Sequence, residues 1–424
     1  MSGARRRWAV ALAALVAVTP LAMSEAGHAA RVGHAARAVP PDGPILVPAG
    51  AQVLKGHYIV QLKGSSATSL TTRYGGKAEH TYRKALHGFA LAATEAQARR
   101  LAADPNVLRV EADTLVWPAD TKPYPIWSLD RVDQRSSVLD DEYTYPASAG
   151  QGVTAYILDS GVRTAHEEFG GRASVGFDAY DDGWNGQDCN VQGHGTHVAG
   201  TVGGATYGVA PRANLVSVRV LSCAGPGPMS KILAGIDWVS QNAQRPAVAN
   251  MSLGSTFSDL LNDAVAASSA TGITYVVAAG NNDRDACNYS PASEPTAITV
   301  GASNGGDERA RNWGGTEPGS NYGTCLDVFA PGENIRSASN VTDAASRVLR
   351  GTSMASPHVA GAAALVLAER PTATPAQVTQ SLVGTATVGA LKLANTDTSP
   401  NKLLYAGPDL FPTQAPAPGP TARR

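Results

Sequence analysis

Charge is scarce in this chain. Asp, Glu, Lys and Arg make up 16% of its 424 residues, well under the roughly 25% of a typical soluble domain, and 34 basic residues face 35 acidic ones. With no excess of either sign, nothing in the composition points to nucleic acid or an anionic membrane as a partner. Cysteine is also rare. Cys189, Cys223, Cys287 and Cys325 contain no C-x-x-C pair, which argues against a zinc site and for two disulfides, with three connectivities open. Apolar runs of membrane length are missing, and the mature protein is expected to be soluble and exported, with no membrane partner.

The remaining inventory is that of a compact exported chain. The length allows two or three domains at about 150 residues each, and 44 glycines with many Ser, Thr and Asn residues make the chain polar without being highly charged. Residues 1–30 read as a signal peptide: Arg5 to Arg7, an apolar stretch from Trp8 to Met23 broken by Pro20, then small residues at Gly27 to Ala30. A linker over 31–55 contains the duplication GHAAR at 27–31 and 33–37.

Residues 56–119 form a small α+β unit. Alternating patterns predict strands at His57–Lys63, Gly88–Thr94 and Val107–Val116, and Thr94 with Gln97 predicts a capping box for a helix stopped by Asp104-Pro105-Asn106. From there the pattern becomes α/β. Short apolar runs at Val153–Asp159, Leu215–Leu221, Val248–Leu253, Ile273–Ala279 and Ile298–Ala302 read as strands buried on both faces. Helical stripes between them (Ile232, Leu233, Ile236, Val239; Leu260, Leu261, Ala264, Val265) predict a parallel sheet with helices on both faces. Thr374, Pro375 and Gln377 open a last helix.

In such sheets, ligands collect at the carboxyl ends of the strands. Asp159 ends one run in AYILDSGV, His194 stands between two glycines in GHGTHVAG, and Asn281 ends another run in VVAAGNN. Ser353 enters the apolar helix of GTSMASPHVAGAAALVLAE at its first turn, in the field of the N-terminus. A nucleophilic serine needs a rigid seat, a base and a group that orients the base. Ser353, His194 and Asp159 supply these. His197, His358 and Ser356 are expected to be packed helix residues, and Asn282 a turn residue.

The blocks DSGV, GHGTHVAG, NMSLG, AAGNN and GTSMASPHVAG resemble the motif set of the subtilisin superfamily, in its proteinase K branch and nearest to aqualysin-type enzymes. The likeness covers about Trp127 to Tyr405, and the preceding unit resembles the family's inhibitory propeptide of ferredoxin-like fold. The implied architecture is a signal peptide (1–30), a linker (31–55), an inhibitory domain (56–119), a subtilisin-like peptidase domain (120–406) and a Pro-rich tail (407–424). The implied activity is secreted serine endopeptidase, made as an autoprocessed zymogen and acting as a monomer on protein and peptide substrates, with its own propeptide as intramolecular inhibitor.

The resemblance also implies roles. Asn281 with the Ser353 N–H would form the oxyanion hole. Two edge segments, Gly225 to Met229 and Ser252, Leu253 and Gly254, would hold the peptide as an added strand, with Gly225 and Gly227 contributing main-chain bonds. Pro226 and Pro228 depart from the usual pattern, but alternation along a strand turns their missing N–H groups away from the peptide. Ser252–Gly254 and Ala278, Ala279 and Gly280 would wall a specificity pocket with no charged residue, favouring apolar or aromatic side chains, and Met229 would line a more distant apolar subsite. Structural calcium is implied at Asp327 with the carbonyls of Pro295 and Ala297, and at Asp130, Asp133, Gln134 and Asp140. The same likeness pairs Cys189 with Cys223 and Cys287 with Cys325, and marks Asn304–Gly319 as an insertion. A peptide-binding homologue without activity would be expected to have lost one of the four catalytic residues. An esterase would more often show G-x-S-x-G, where this chain has Gly351-Thr352-Ser353-Met354-Ala355.

Overall fold

The computed structural model describes residues 42–47, 53–64, 67–84, 86–114, 121–123, 125–313 and 317–411. The expected leader, most of the linker, residues 115–120 and residues 412–424 of the tail lie outside the described residues. The chain divides into two compact units, 1–116 and 117–424.

The first unit is a five-stranded sheet in the order Ile45–Leu46, Val107–Thr114, Val53–Leu62, Gly88–Ala92, Lys77–Tyr82. Its central pairings are antiparallel. The capping box forms as the sequence predicts: Gln97 N–H donates to Thr94 Oγ1 and Thr94 N–H to Gln97 Oε1, opening the helix Glu95–Ala102. Leu101 and Ala98 turn from that helix onto Val60, Phe89, Leu91 and Val110 of the sheet. The helix Ala67–Tyr74 and the strand Lys77–Tyr82 escape the sequence reading. The first buries only Leu70, and the second is exposed along nearly all its length, so neither has an apolar period to detect.

The second unit is built on a nine-stranded sheet. Seven of its strands form a parallel block in the order Lys402–Leu403, Val328–Pro331, Ile298–Ser303, Ile273–Ala278, Ala247–Met251, Thr154–Asp159, Asn214–Arg219, and Ala173–Asp178 continues it in parallel. Thr387–Val388 closes the other edge antiparallel. Alternate residues of one strand feed opposite cores: Ala155 and Ile157 pack into the cluster containing the helices His194–Gly203 and Thr352–Glu369, while Tyr156 and Leu158 pack toward Met229–Asn242 and Asp259–Ser269. Helices therefore cover both faces, as the sequence predicts.

One expectation needs correction, and two further features were not legible in the sequence. Leu260 is 70% exposed while Leu261 and Val265 are buried, so the apolar stripe of that helix is narrower than read. Gly225–Gly227 is not a strand of any sheet: Ser222 N–H donates to Pro226 O, Gly225 takes a φ of 111°, and Pro228 caps a helix that starts at Met229. Two prolines in five residues leave that segment too few N–H groups for a ladder within the protein. The edge strand Ala173–Asp178 was missed because Gly176 interrupts it. A side chain there would meet the Trp238 ring at 2.4 Å.

The four cysteines form Cys189–Cys223 and Cys287–Cys325, the pairing that the resemblance implied. The helix Thr352–Glu369 is apolar on all sides and almost wholly buried. Among the described residues, no helix is long and apolar enough to cross a membrane.

Candidate active site

Three sheet elements and two helices converge on one end of the second unit. Thr154–Asp159 ends in Asp159, which is fully buried. Gly193, at a φ of 63°, caps the helix that opens with His194, and its place beside Asn340 leaves no room for a side chain. His194 Nδ1 stands 2.8 Å from Asp159 Oδ1. Facing a carboxylate, Nδ1 carries the proton, so Nε2 is the free base. Burial draws the imidazole pKa down, but the Asp159 charge and hydrogen bond, joined by the Asp188 charge, raise it above the ordinary histidine value. Asp188 is held in place by Ser160 Oγ, Asn190 N–H and both donors of Thr196.

Ser353 is the second residue of its helix, where a backbone N–H has no intrahelical acceptor. Gly351 leads into it at a φ of 136°, a conformation that favours glycine. Pro357 lies four residues after Ser353 and lacks the N–H that would bond the Ser353 carbonyl. Ser252 Oγ fills that place at 2.7 Å. Behind it, Asn250 Nδ2 donates to Ser252 Oγ and Ser356 Oγ donates to Asn250 Oδ1, so a buried chain of polar groups fixes the start of the helix. The Ser353 hydroxyl itself donates to Ser252 O at 3.1 Å. Among the described residues it makes no hydrogen bond to His194. Apo sites commonly tighten this contact only when substrate arrives.

Asn281 projects from the bend after Ile273–Ala278. Its Oδ1 accepts from both Thr352 N–H and Thr352 Oγ1, each at 2.9 Å. Gly280 N–H donates to Thr352 Oγ1, so the threonine proton points at Asn281 and the amide orientation is fixed. Nδ2 is left to donate outward, beside the first turn that carries the Ser353 N–H.

Two cavities meet here. One of about 680 Å³ is lined by His194, Leu221, Gly225, Gly227, Met229, Ile232 and Ser252–Ser255. The other, about 350 Å³, is lined by Leu253–Thr256, Ala278–Asn282, Tyr289, Ser290, Ala292, Thr352 and Ser353, with no charged residue. The sequence reading missed Thr352, Asn250 and Asp188. Thr352 and Asn250 lie inside quoted motifs and Asp188 lies five residues before another, but only the fold shows what each bonds.

The chain matches the Subtilase family over residues 150–407. It belongs to that family. Residues 57–117 match the Peptidase inhibitor I9 family. It is 48% identical over 349 residues to an extracellular serine proteinase of Thermus sp. (strain Rt41A), covering 82% of each chain. It is 44% identical to the alkaline serine exoprotease A of Vibrio alginolyticus, covering 82% of this chain and 63% of that one. Among solved structures, a cold-adapted subtilisin-like serine proteinase is 48% identical, with a TM-score of 0.62, over 67% of this chain and 98% of that one. This subtilase is thus a serine endopeptidase with an inhibitory propeptide.

The decoys of this subtilase pack as structural residues. His197 Nε2 bonds Ile335 O, His358 Nδ1 bonds Met354 O, and both rings are fully buried; Asn282 sits in the bend. The expected metal residues are spread more widely. Asp130 accepts from the N–H groups of Asp140 and Asp141, and Gln134 Nε2 donates to the carbonyls of Ser136 and Val138. Among the described residues, no three or more His, Cys, Asp or Glu side chains converge as a metal site. Asp133 nevertheless has a buried Oδ1 with no hydrogen-bond partner. Burial first, then the Asp140 and Asp130 charges, push its carboxyl up to about 7 against the Thr144 N–H. A buried carboxylate oxygen left over in an acidic loop is the donor that a hard cation would use. At Asp327, burial raises the pKa and Oδ2 accepts from Thr299 N–H.

Proposed function

We propose that this subtilase hydrolyses peptide bonds with Ser353 as nucleophile, His194 as general base and acid, Asp159 as the group that orients it, and Asn281 with the Ser353 N–H as the oxyanion hole. The reading rests chiefly on the 2.8 Å pair of His194 and Asp159, which leaves Nε2 as the free base of a residue that lines the cleft. Ser353 turns its hydroxyl from Ser252 O to His194, and Oγ attacks the carbonyl carbon as its proton passes to Nε2. The carbonyl oxygen becomes an oxyanion between Asn281 Nδ2 and the Ser353 N–H. His194 returns the proton to the leaving amine, and water then cleaves the acyl-enzyme by the same steps.

The substrate main chain runs between Gly225–Gly227 and Ser252–Gly254 as an added strand. The segment that is no strand in the free protein becomes one flank of a ladder when peptide arrives. The 350 Å³ cavity receives the side chain before the scissile bond. Its uncharged walls favour apolar and aromatic groups, and apolar pockets discriminate weakly, so specificity is broad. Leu221, Met229 and Ile232 supply a further apolar subsite.

The protein is secreted, works as a monomer outside the cell, and is restrained by its propeptide until that segment is degraded. Calcium would be held by Asp327 with the carbonyls of Pro295 and Ala297, and by Asp133 with Asp130, Gln134 and Asp140. Bound there, it would cross-link loops and take no part in the chemistry.

Casein hydrolysis with and without a serine-directed sulfonyl fluoride tests the core of this reading. The inhibitor should abolish hydrolysis and label Ser353, as located by peptide mapping. Full activity after stoichiometric labelling of Ser353, or inactivation through another residue, would overturn it.

A further inference from the structure

The bend that carries Asn281 is held almost entirely from outside itself. Gly280 has a φ of 101° and Asp283 a φ of 50°, so the chain reverses through two left-handed residues. Four of the backbone polar groups around it are bonded by one neighbour, Asn321. Asn321 N–H donates to Gly280 O at 2.8 Å, and its Nδ2 donates to Ala279 O at 2.8 Å. Its Oδ1 accepts from Asn282 N–H at 2.9 Å and from Arg284 N–H at 3.1 Å. Of the other bonds, Gly280 N–H goes to Thr352, Asp283 N–H goes to Gly319 O, and Arg284 O accepts from Tyr322 N–H.

We infer that Asn321 is a positioning residue for the oxyanion hole: one buried amide grips the chain on both sides of Asn281 and so sets where the Asn281 donor stands. The inference rests on the proposed role of Asn281. Asn321 is fully buried, and its amide orientation is unambiguous, because two N–H groups face one end and a carbonyl faces the other. The fit is close, since a Cβ on Gly280 would lie 2.5 Å from Asn321 Nδ2. Asn281 is exposed and touches the protein through Thr352 at its oxygen end. Its Nδ2 is therefore located by the backbone under it, and an oxyanion donor must be held within about half an ångström to act. The platform is itself braced. Arg309 donates to Asp283 Oδ1 at 2.6 Å, to Ser320 O at 2.7 Å and to Asp397 Oδ2 at 2.7 Å, tying the bend to the segment that carries Asn321.

A double-mutant cycle separates positioning from a structural effect. Asn321→Asp keeps the shape and the acceptor but turns a lone pair toward Ala279 O, and Asn321→Ala removes all three side-chain bonds. Each is expressed as the full chain, matured with a trace of tagged wild-type enzyme that is then removed, and assayed for kcat and KM on a peptide substrate. We expect kcat to fall about tenfold in Asn321→Asp and up to about a hundredfold in Asn321→Ala, the scale of a displaced oxyanion donor. In an Asn281→Ala background, the same substitutions should change kcat less than about twofold, because the donor they position is gone. Retained kcat in Asn321→Ala, or losses that multiply with that of Asn281→Ala, would overturn the inference. Unchanged kcat in Asn281→Ala alone would instead overturn the role of Asn281. If the Asn321 variants do not fold, Gly280→Ala pushes the same amide from the other side, and its cycle with Asn281→Ala decides by the same two outcomes.

Discussion

Ser252 and Ser353 are joined in both directions. The Ser252 hydroxyl donates to the Ser353 carbonyl at 2.7 Å, and the Ser353 hydroxyl donates to the Ser252 carbonyl at 3.1 Å. The first bond exists because Pro357 leaves the carbonyl without a helical donor. The second parks the proposed nucleophile until substrate draws it toward His194.

Ser252→Ala breaks the first bond and leaves a carbonyl unsatisfied, at a cost of about 1–3 kcal/mol. We expect a lower thermal midpoint and kcat reduced by about tenfold. Wild-type values for both would show that the Ser353 carbonyl needs no such partner.

The proposed base His194 can accept a proton only when neutral, so kcat/KM should rise with pH as that one group loses its proton. Its midpoint should lie above the ordinary histidine value, since Asp159 and Asp188 outweigh burial. Asp188→Asn should move the midpoint down, read from pH profiles of kcat/KM. A midpoint that stays put would remove Asp188 from the electrostatics of the site.

Burial pulls the pKa of His197 down to about 3 and that of His358 down to about 4. Both are neutral in the folded protein while the unfolded chain takes up protons near the ordinary value of about 6.5. Their contribution is therefore present above that value and is lost as pH falls toward the folded values, by up to about 1.4 kcal/mol per pH unit for each proton. Denaturant titrations between pH 7 and 4 should show this slope, and His358→Gln should flatten it. An equal slope in the variant would mean that other groups carry the acid lability.

Chelation should lower the thermal midpoint by about 5 °C or more, because an ion bound only by the folded state stabilises it by mass action. Asp133→Asn should lose part of that response. A midpoint indifferent to chelator in wild type would dismiss both calcium sites. Denatured, unreduced protein should show no titratable thiol, as the two disulfides require.

Maturation should use the same nucleophile as any other cleavage, and losing it costs about a million-fold in turnover in the example of subtilisin itself. Ser353→Ala, made in a host without other proteases, should accumulate as a folded, uncut chain beginning near Arg31. Wild type should begin between Trp117 and Thr121. N-terminal sequencing decides, and a Ser353→Ala chain cut in that window would mean that another enzyme does the processing.

Elements with strong local signals are legible in the sequence alone. Apolar runs gave the central strands, because a strand buried on both faces must be apolar throughout. The capping boxes at Thr94 and Thr374 formed because their partners lie three residues away. Asp159, His194, Asn281 and Ser353 stood out because each is a reactive or polar residue interrupting an apolar or glycine-rich run. Tertiary structure decided what acts across distance. Asn321 lies 40 residues from Asn281, and Thr352 lies 71 from it; no period or spacing links them, and only the packed sheet brings their amide and hydroxyl groups to one bend. The same holds for Gly225–Gly227. Its alternation reads as a strand, but a strand exists only where a partner supplies the ladder, and none of the described residues does.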